Sequence, residues 1–170
     1  MNKKRLLTVM GGTTPYRPGL ILNGSFEIAG AGGADIFSDW GEYVAEDGTV
    51  TADTTHKKYG DQSAKLTAGS TGTINARITQ TISVNASSQY RLIYWIKTDG
   101  TNSARLQIYD ITNTTDIFAT DIIATLSTSW IKQSLTFTTN VGTASISLRF
   151  ICPNAYNAFV YFDGVSLFPL

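Results

Sequence analysis

The stretch Tyr90-Arg91-Leu92-Ile93-Tyr94-Trp95-Ile96-Lys97 decides the fold. Side chains alternate across a strand, so Tyr90, Leu92, Tyr94 and Ile96 share one face and Arg91, Ile93, Trp95 and Lys97 share the other. The first set reads as core and the second as outward, with Trp95 partly exposed. Asp99-Gly100 then signals a turn, after which Leu106 and Ile108 point inward and Arg105, Gln107 and Tyr109 outward. The two runs are expected to be neighbouring antiparallel strands.

Further strands are expected at Ser63 to Leu66, Ile74 to Val84, Asp121 to Leu126, Trp130 to Thr138, Ser145 to Ile151 and Phe159 to Leu167. Short runs rich in Ile, Val, Tyr, Phe and Thr alternate with clusters of Gly, Asn, Asp and Ser, and no long helical period interrupts them. The fold class is therefore all-β, an antiparallel sandwich over residues 20–170. Residues 1–19 differ: a basic cluster, Gly11-Gly12 and Pro15-Tyr16-Arg17-Pro18-Gly19 suit neither a helix nor a central strand, and read as an extended N-terminal arm.

The 170 residues match one domain, and 13 basic residues balance 13 acidic ones, so no long-range field draws the chain to nucleic acid or anionic lipid. Cys152 is the only cysteine; it excludes an intrachain disulfide and, beside Phe150 and Ile151, reads as buried. The apolar run Leu6 to Met10 stops at Gly11 and is too short for a signal peptide, and no run reaches a membrane-spanning length. His56 is the only histidine, and neither it nor Cys152 has the partners of a catalytic triad or zinc site. Glu27, Glu42, Glu46, Asp61 and Asp110 offer carboxylates, but no spacing singles out a glycosidase pair, and no phosphate loop is present. The reading is a non-enzyme.

Five signatures fall in one order: Asn23-Gly24-Ser25-Phe26-Glu27, Trp40, Tyr59 to Leu66, Tyr90 to Lys97, and Phe162-Asp163-Gly164-Val165-Ser166-Leu167. Together they resemble the carbohydrate-binding modules appended to xylanases and glucanases, jelly-roll families that open on an N-x-G-F-E-like strand and close on D-D-V-S-L. Gly164 stands where those families usually carry a second aspartate. The resemblance implies a structural calcium between Glu27, Asp163 and the Lys58 to Asp61 loop, tying the first strand to the last. Calcium takes six to eight oxygens, which suits carboxylates from two chain ends. The alternative is that Glu27 and Asp163 are ordinary surface carboxylates.

In these families sugar lies on the concave face of one sheet. Strand parity sends Arg77, Arg91, Trp95, Arg105, Gln107, Tyr109 and Arg149 outward, and all seven are expected on one ligand-binding face, with Tyr156 on its rim. Aromatic faces suit sugar C–H patches, and amides and guanidinium groups suit hydroxyls, uronates or sulfates. The competing reading packs this face against a loop such as Asn140 to Thr143, or against a neighbouring subunit. Trp40 and Trp130 are expected to plug the sandwich core.

A lone module with a basic arm and no signal peptide suggests a phage virion component, a decoration, head-fibre or tail protein whose residues 1–19 dock on other virion proteins while the sandwich meets host glycans. Two alternatives are a purely structural assembly module and a detached accessory module of a polysaccharide-degrading enzyme.

Overall fold

A computed structural model describes residues 19–70, 76–118, 122–123, 126–152 and 155–170 of the chain. In chain order the strands are β1 (Ala29–Gly32), β2 (Asp35–Phe37), β3 (Gly41–Val44), β4 (Thr49–Asp53), β5 (Ser63–Thr67), β6 (Ala76–Ser83) and β7 (Gln89–Thr98). They continue with β8 (Arg105–Asp110), β9 (Thr115–Asp116), β10 (Ile122–Ile123), β11 (Ile131–Thr138), β12 (Ser145–Ile151) and β13 (Phe159–Pro169). One sheet runs β10-β8-β12-β6-β3, with β9 also against β8; the other runs β11-β7-β13-β5-β4, and β1 and β2 form a small ribbon. All these pairings are antiparallel, and among the described residues there is no helix, so none is long and apolar enough to cross a membrane. The chain is the expected all-β sandwich.

The parity of β7 is as expected. Tyr90, Leu92, Tyr94 and Ile96 are buried, while Arg91 is exposed and Ile93, Trp95 and Lys97 are half-buried. The central strands of the two sheets meet through Phe150 of β12 and Phe162 of β13, with ring centroids 4.5 Å apart. Tyr94 packs edge-on against Phe150 at 5.2 Å, and Trp40, buried as expected, lies 6.1 Å from the same ring. Burying an aromatic side chain contributes about 2–3 kcal/mol, so this cluster supplies much of the drive to close the sandwich. Cys152 is buried as expected.

The pairing of β7 with β8 is corrected: they lie in opposite sheets. Residues 99–104 form no two-residue hairpin. Asp99 Oδ1 accepts the Thr101 and Asn102 amides at 2.8 and 2.7 Å, and Thr98 donates its amide to Ser127, so the segment turns away from β7 and crosses to the other layer. Two other expectations also shift. Trp130 is half-buried on the outer side of β11 near Tyr161, at 6.4 Å, rather than in the core, and the strand expected over 121–126 is present as β10, with residues 121, 124 and 125 outside the described set. The expected arm is outside it too, apart from Gly19, which bridges to Leu167. The strands β1 to β4 and β9 are additional to those expected, and the opening strand that the resemblance implied at residues 23–27 is a turn instead.

At the end of β8, Asp110 closes one end of the sandwich. Its Oδ2 accepts bonds from Thr143 Oγ1 at 2.6 Å, Asn113 Nδ2 at 2.8 Å and Asn140 Nδ2 at 3.0 Å, and its Oδ1 accepts the Asn113 amide. Burial pushes the carboxyl up, but the bonds from Thr143, Asn113 and Asn140 outweigh it and hold the group at about 2. That stabilisation is present above the ordinary value of 3.8 and is lost as pH falls towards 2. Asp110→Ala leaves these donors unpaired and is expected to cost roughly 2–4 kcal/mol. Urea melts of both proteins at pH 7 and pH 2.5 check this: the gap must narrow at the lower pH.

Candidate functional site

Cross-strand register arranges the outward side chains of the six-stranded sheet in rows. The first row is Tyr43, Arg77, Ile151 and Arg105, the second Gly41, Thr79, Arg149 and Gln107, and the third Thr81, Ser147, Tyr109 and Asp116. Their inward neighbours Ile78, Leu106, Ile108, Leu148 and Phe150 are buried, which fixes the facing of every row.

The polar groups of this face hold one another in place. The Arg149 guanidinium carbon lies 4.4 Å from the Tyr109 ring centroid, its Nη1 donates to Gln107 Oε1 at 2.8 Å, and its Nε donates to Ser147 Oγ at 3.2 Å. Arg77 stacks on Tyr43 in the same manner, at 4.6 Å, and Tyr43 is 44% exposed. The Arg77 Nε is buried with no hydrogen-bond partner among the described residues. Buried donors are nearly always paired, so this one can take an acceptor from water or from a ligand. Arg105 is half-buried at the end of the first row.

Arg91 and Trp95 are corrected: they lie on the outer face of the five-stranded sheet, on the opposite side of the molecule. Because β7 and β8 belong to different layers, an outward residue on one strand faces away from an outward residue on the other. Trp95 is also covered. Lys58 Nζ sits 4.0 Å from its ring, and Tyr59 meets it edge-on at 6.3 Å. Tyr156 is exposed in the connection from β12 to β13, beyond the end of the Arg77–Ile151–Arg105 row. Tyr43 is the residue the sequence reading missed. Its signal was Glu42-Tyr43-Val44 between Gly41 and Asp47-Gly48, a run too brief for alternation to show.

Glu27 and Asp163 converge on one loop. Glu27 accepts the Asp61 and Gln62 amides at 3.0 and 3.2 Å, and Gly60 is held against it so closely that any Cβ would strike the Glu27 carboxylate. Asp163 accepts the Lys58, Tyr59 and Gly164 amides at 2.7, 2.8 and 2.6 Å. Burial pushes the Asp163 carboxyl up to about 7 despite those bonds, and the nearby Glu27 charge adds to the rise. The side chain of Asp61 is exposed, and its carbonyl accepts a bond from Lys57 Nζ at 3.2 Å. No cluster of three His, Cys, Asp or Glu side chains capable of holding a metal occurs among the described residues. A cation here would draw on the two carboxylates and on backbone oxygens.

A cleft of about 210 Å³ opens between the β3 and β4 edges, away from both faces; its one ionisable lining group, Glu42, already accepts the Phe37 amide at 2.8 Å.

The chain is an antiparallel sandwich of the jelly-roll class, with stacked arginines, tyrosines and an amide on the outer face of one sheet. The family model described as a carbohydrate-binding domain matches residues 18–155, and the chain belongs to that family. No curated protein matches the chain. Solved structures share the fold at low identity. A CBM4 structure is 23% identical over 88% of this chain and 99% of its own, with a TM-score of 0.64. TmCBM61, solved with β-1,4-galactotriose, is 14% identical over 91% of this chain and 100% of its own, with a TM-score of 0.66. The enzymatically active domain of tailspike protein 4 of bacteriophage CBA120 is 17% identical over 89% of this chain, with a TM-score of 0.68, and this chain spans only 21% of it.

One structural consequence of the loop can be measured. Gly164, at φ 57, makes the bulge that lets Tyr59 lie over β13, and a Cβ there would fall 2.6 Å from the Tyr59 ring. Gly164→Ala is expected to cost about 2 kcal/mol from backbone strain and the clash, read as a fall in melting temperature of roughly 4–8 °C. An unchanged melting temperature would mean that the loop yields freely.

Proposed function

We propose that the chain is a non-catalytic glycan-binding module of a phage particle, a decoration, head-fibre or tail component, and that it contacts host-surface glycans with the outer face of the six-stranded sheet. Family membership supports carbohydrate as the ligand class. The observation that carries the choice of face is the Arg149 guanidinium, fixed by Tyr109, Gln107 and Ser147 before any ligand arrives. Preorganised donors lose little freedom on binding, and the neighbouring aromatic rings suit sugar C–H patches. The virion setting draws on the basic, Pro- and Gly-containing residues 1–19 and on the tailspike that carries a similar fold.

Glycan-array screening followed by calorimetry tests the face. Arg149→Ala is expected to weaken the best ligand at least tenfold, about 1.4 kcal/mol, whereas Trp95→Ala leaves affinity within about twofold. The reverse pattern would move the site to the other sheet. Absence of any glycan binding, together with self-association, would favour an assembly module. Detection of the chain in purified particles tests the setting.

We also propose a structural calcium held by Glu27, Asp163 and carbonyl oxygens of the Lys58–Asp61 loop. The buried Asp163 and the exposed Glu27, from distant parts of the chain, both hold this one loop, which suits a hard cation that would tie them together. Removing calcium with a chelator is expected to lower the melting temperature and adding it back to restore it. A melting temperature indifferent to both would sink the metal.

A further inference from the structure

We infer that the ligand of the six-stranded sheet face is an acidic glycan, one carrying carboxylate or sulfate groups, rather than a neutral polysaccharide. The inference rests on the glycan-binding reading above and narrows its ligand class.

Three guanidinium groups share the face. In the register, Arg77 and Arg105 flank Ile151 on neighbouring strands, and Arg149 stands two residues along β12 from Ile151. Strand spacing and rise place their Cα atoms at the corners of a triangle with edges of roughly 8–10 Å. Neither Arg77 nor Arg149 makes an ion pair with a described carboxylate, and every acidic side chain except Asp121 belongs to the described residues. Among the described residues the three rows contain one carboxylate, the exposed Asp116 at the rim.

Most of the described acidic residues lie off this face. Eight of the 13, Glu27, Asp35, Asp39, Glu42, Glu46, Asp47, Asp53 and Asp61, fall within residues 27–61, and of these only Glu42 is on a strand of the six-stranded sheet, where its carboxylate accepts the Phe37 amide. Holding the half-buried Arg77 and Arg149 guanidinium groups close together with no described carboxylate paired to either is unfavourable, and an anion on the face relieves it. The unpaired Arg77 Nε adds a second pointer to a missing acceptor. A neutral sugar could satisfy that donor with a hydroxyl, but would leave the charges of Arg77 and Arg149 unmatched. Planar guanidinium forks pair with carboxylate or sulfate oxygens two at a time, which a lysine cannot reproduce.

The test uses the full chain on an array that pairs acidic with neutral backbones: polygalacturonate against its methyl ester, alginate, hyaluronan and heparin, and neutral galactan, xylan and glucan. Acidic members are expected to bind at least tenfold tighter than neutral ones, and binding should fall several-fold between 0.05 and 0.5 M NaCl as salt screens the charges. Preference for heparin over the uronates would assign sulfate, and the opposite order carboxylate. Arg149→Lys, which keeps the charge but loses the fork, is expected to weaken the acidic ligand about tenfold. A control with Lys65→Gln and Lys97→Gln, on the opposite face, should change little. Salt-insensitive binding of a neutral glycan that still depends on Arg149 would overturn the inference and leave the function intact. Loss of binding in the lysine control alone would overturn the face as well, and silence across the array would overturn both readings.

Discussion

The contact between Phe150 and Phe162 is the constraint on which the rest of the molecule depends. Each ring sits on the central strand of its own sheet, and at 4.5 Å between centroids they join the two layers. Once Phe150 faces inward, alternation sends Arg149 outward on one side and Ile151 on the other, and the antiparallel register then aligns Gln107 and Thr79 with Arg149. Once Phe162 faces inward, Tyr161 and Asp163 must leave the core on the opposite side of the molecule. The two outer faces are thus set by one interior contact, and a one-residue slip in either strand would bury charge and expose aromatic surface.

The two faces, though both cationic, differ in how their charges are handled. On the five-stranded sheet the ammonium groups rest on rings: Lys58 on Trp95 at 4.0 Å, and Lys65 and Lys97 within 5.7 Å of Tyr161. Tyr161 is itself buried, flanked by His56 at 4.8 Å and by Trp130. Flexible lysines can lie down on such rings or lift into water, so that face is already satisfied. The arginines of the other sheet are held by Tyr43, Tyr109 and Gln107 and stay where the register puts them. The two faces thus offer different donors, guanidinium forks stacked on tyrosines on one and ammonium groups resting on rings on the other.

What was legible in the sequence was what alternation alone controls. The parity of β7, β8 and β12 followed from their apolar residues, and so did the outward direction of all the expected ligand residues but Tyr156. Which sheet each strand joins was not legible. Asp99-Gly100 has the composition of a hairpin turn, and nothing local distinguishes a turn that returns along the same sheet from one that crosses roughly 10 Å to the facing layer. The strands β1 to β4 escaped for a different reason. They hold three to five residues each, and the first is Ala29-Gly30-Ala31-Gly32, where pairing with β2 has to supply what propensity does not.

Trp95 shows how far such an error travels. As an outward tryptophan beside outward arginines it had the chemistry of a sugar platform, and its parity was right. Yet the loop bearing Lys58 and Tyr59 is bound to Asp163 through two backbone amides, and those bonds hold Lys58 and Tyr59 over the indole. The same carboxylate that anchors the loop therefore also sets the partial cover over Trp95, which stays half-buried. A residue 68 positions along the chain from Trp95, Asp163 is also its direct cross-strand partner in β13. Strand pairing, not composition, put Trp95 on the five-stranded sheet beneath the loop, away from Arg77, Arg105 and Arg149.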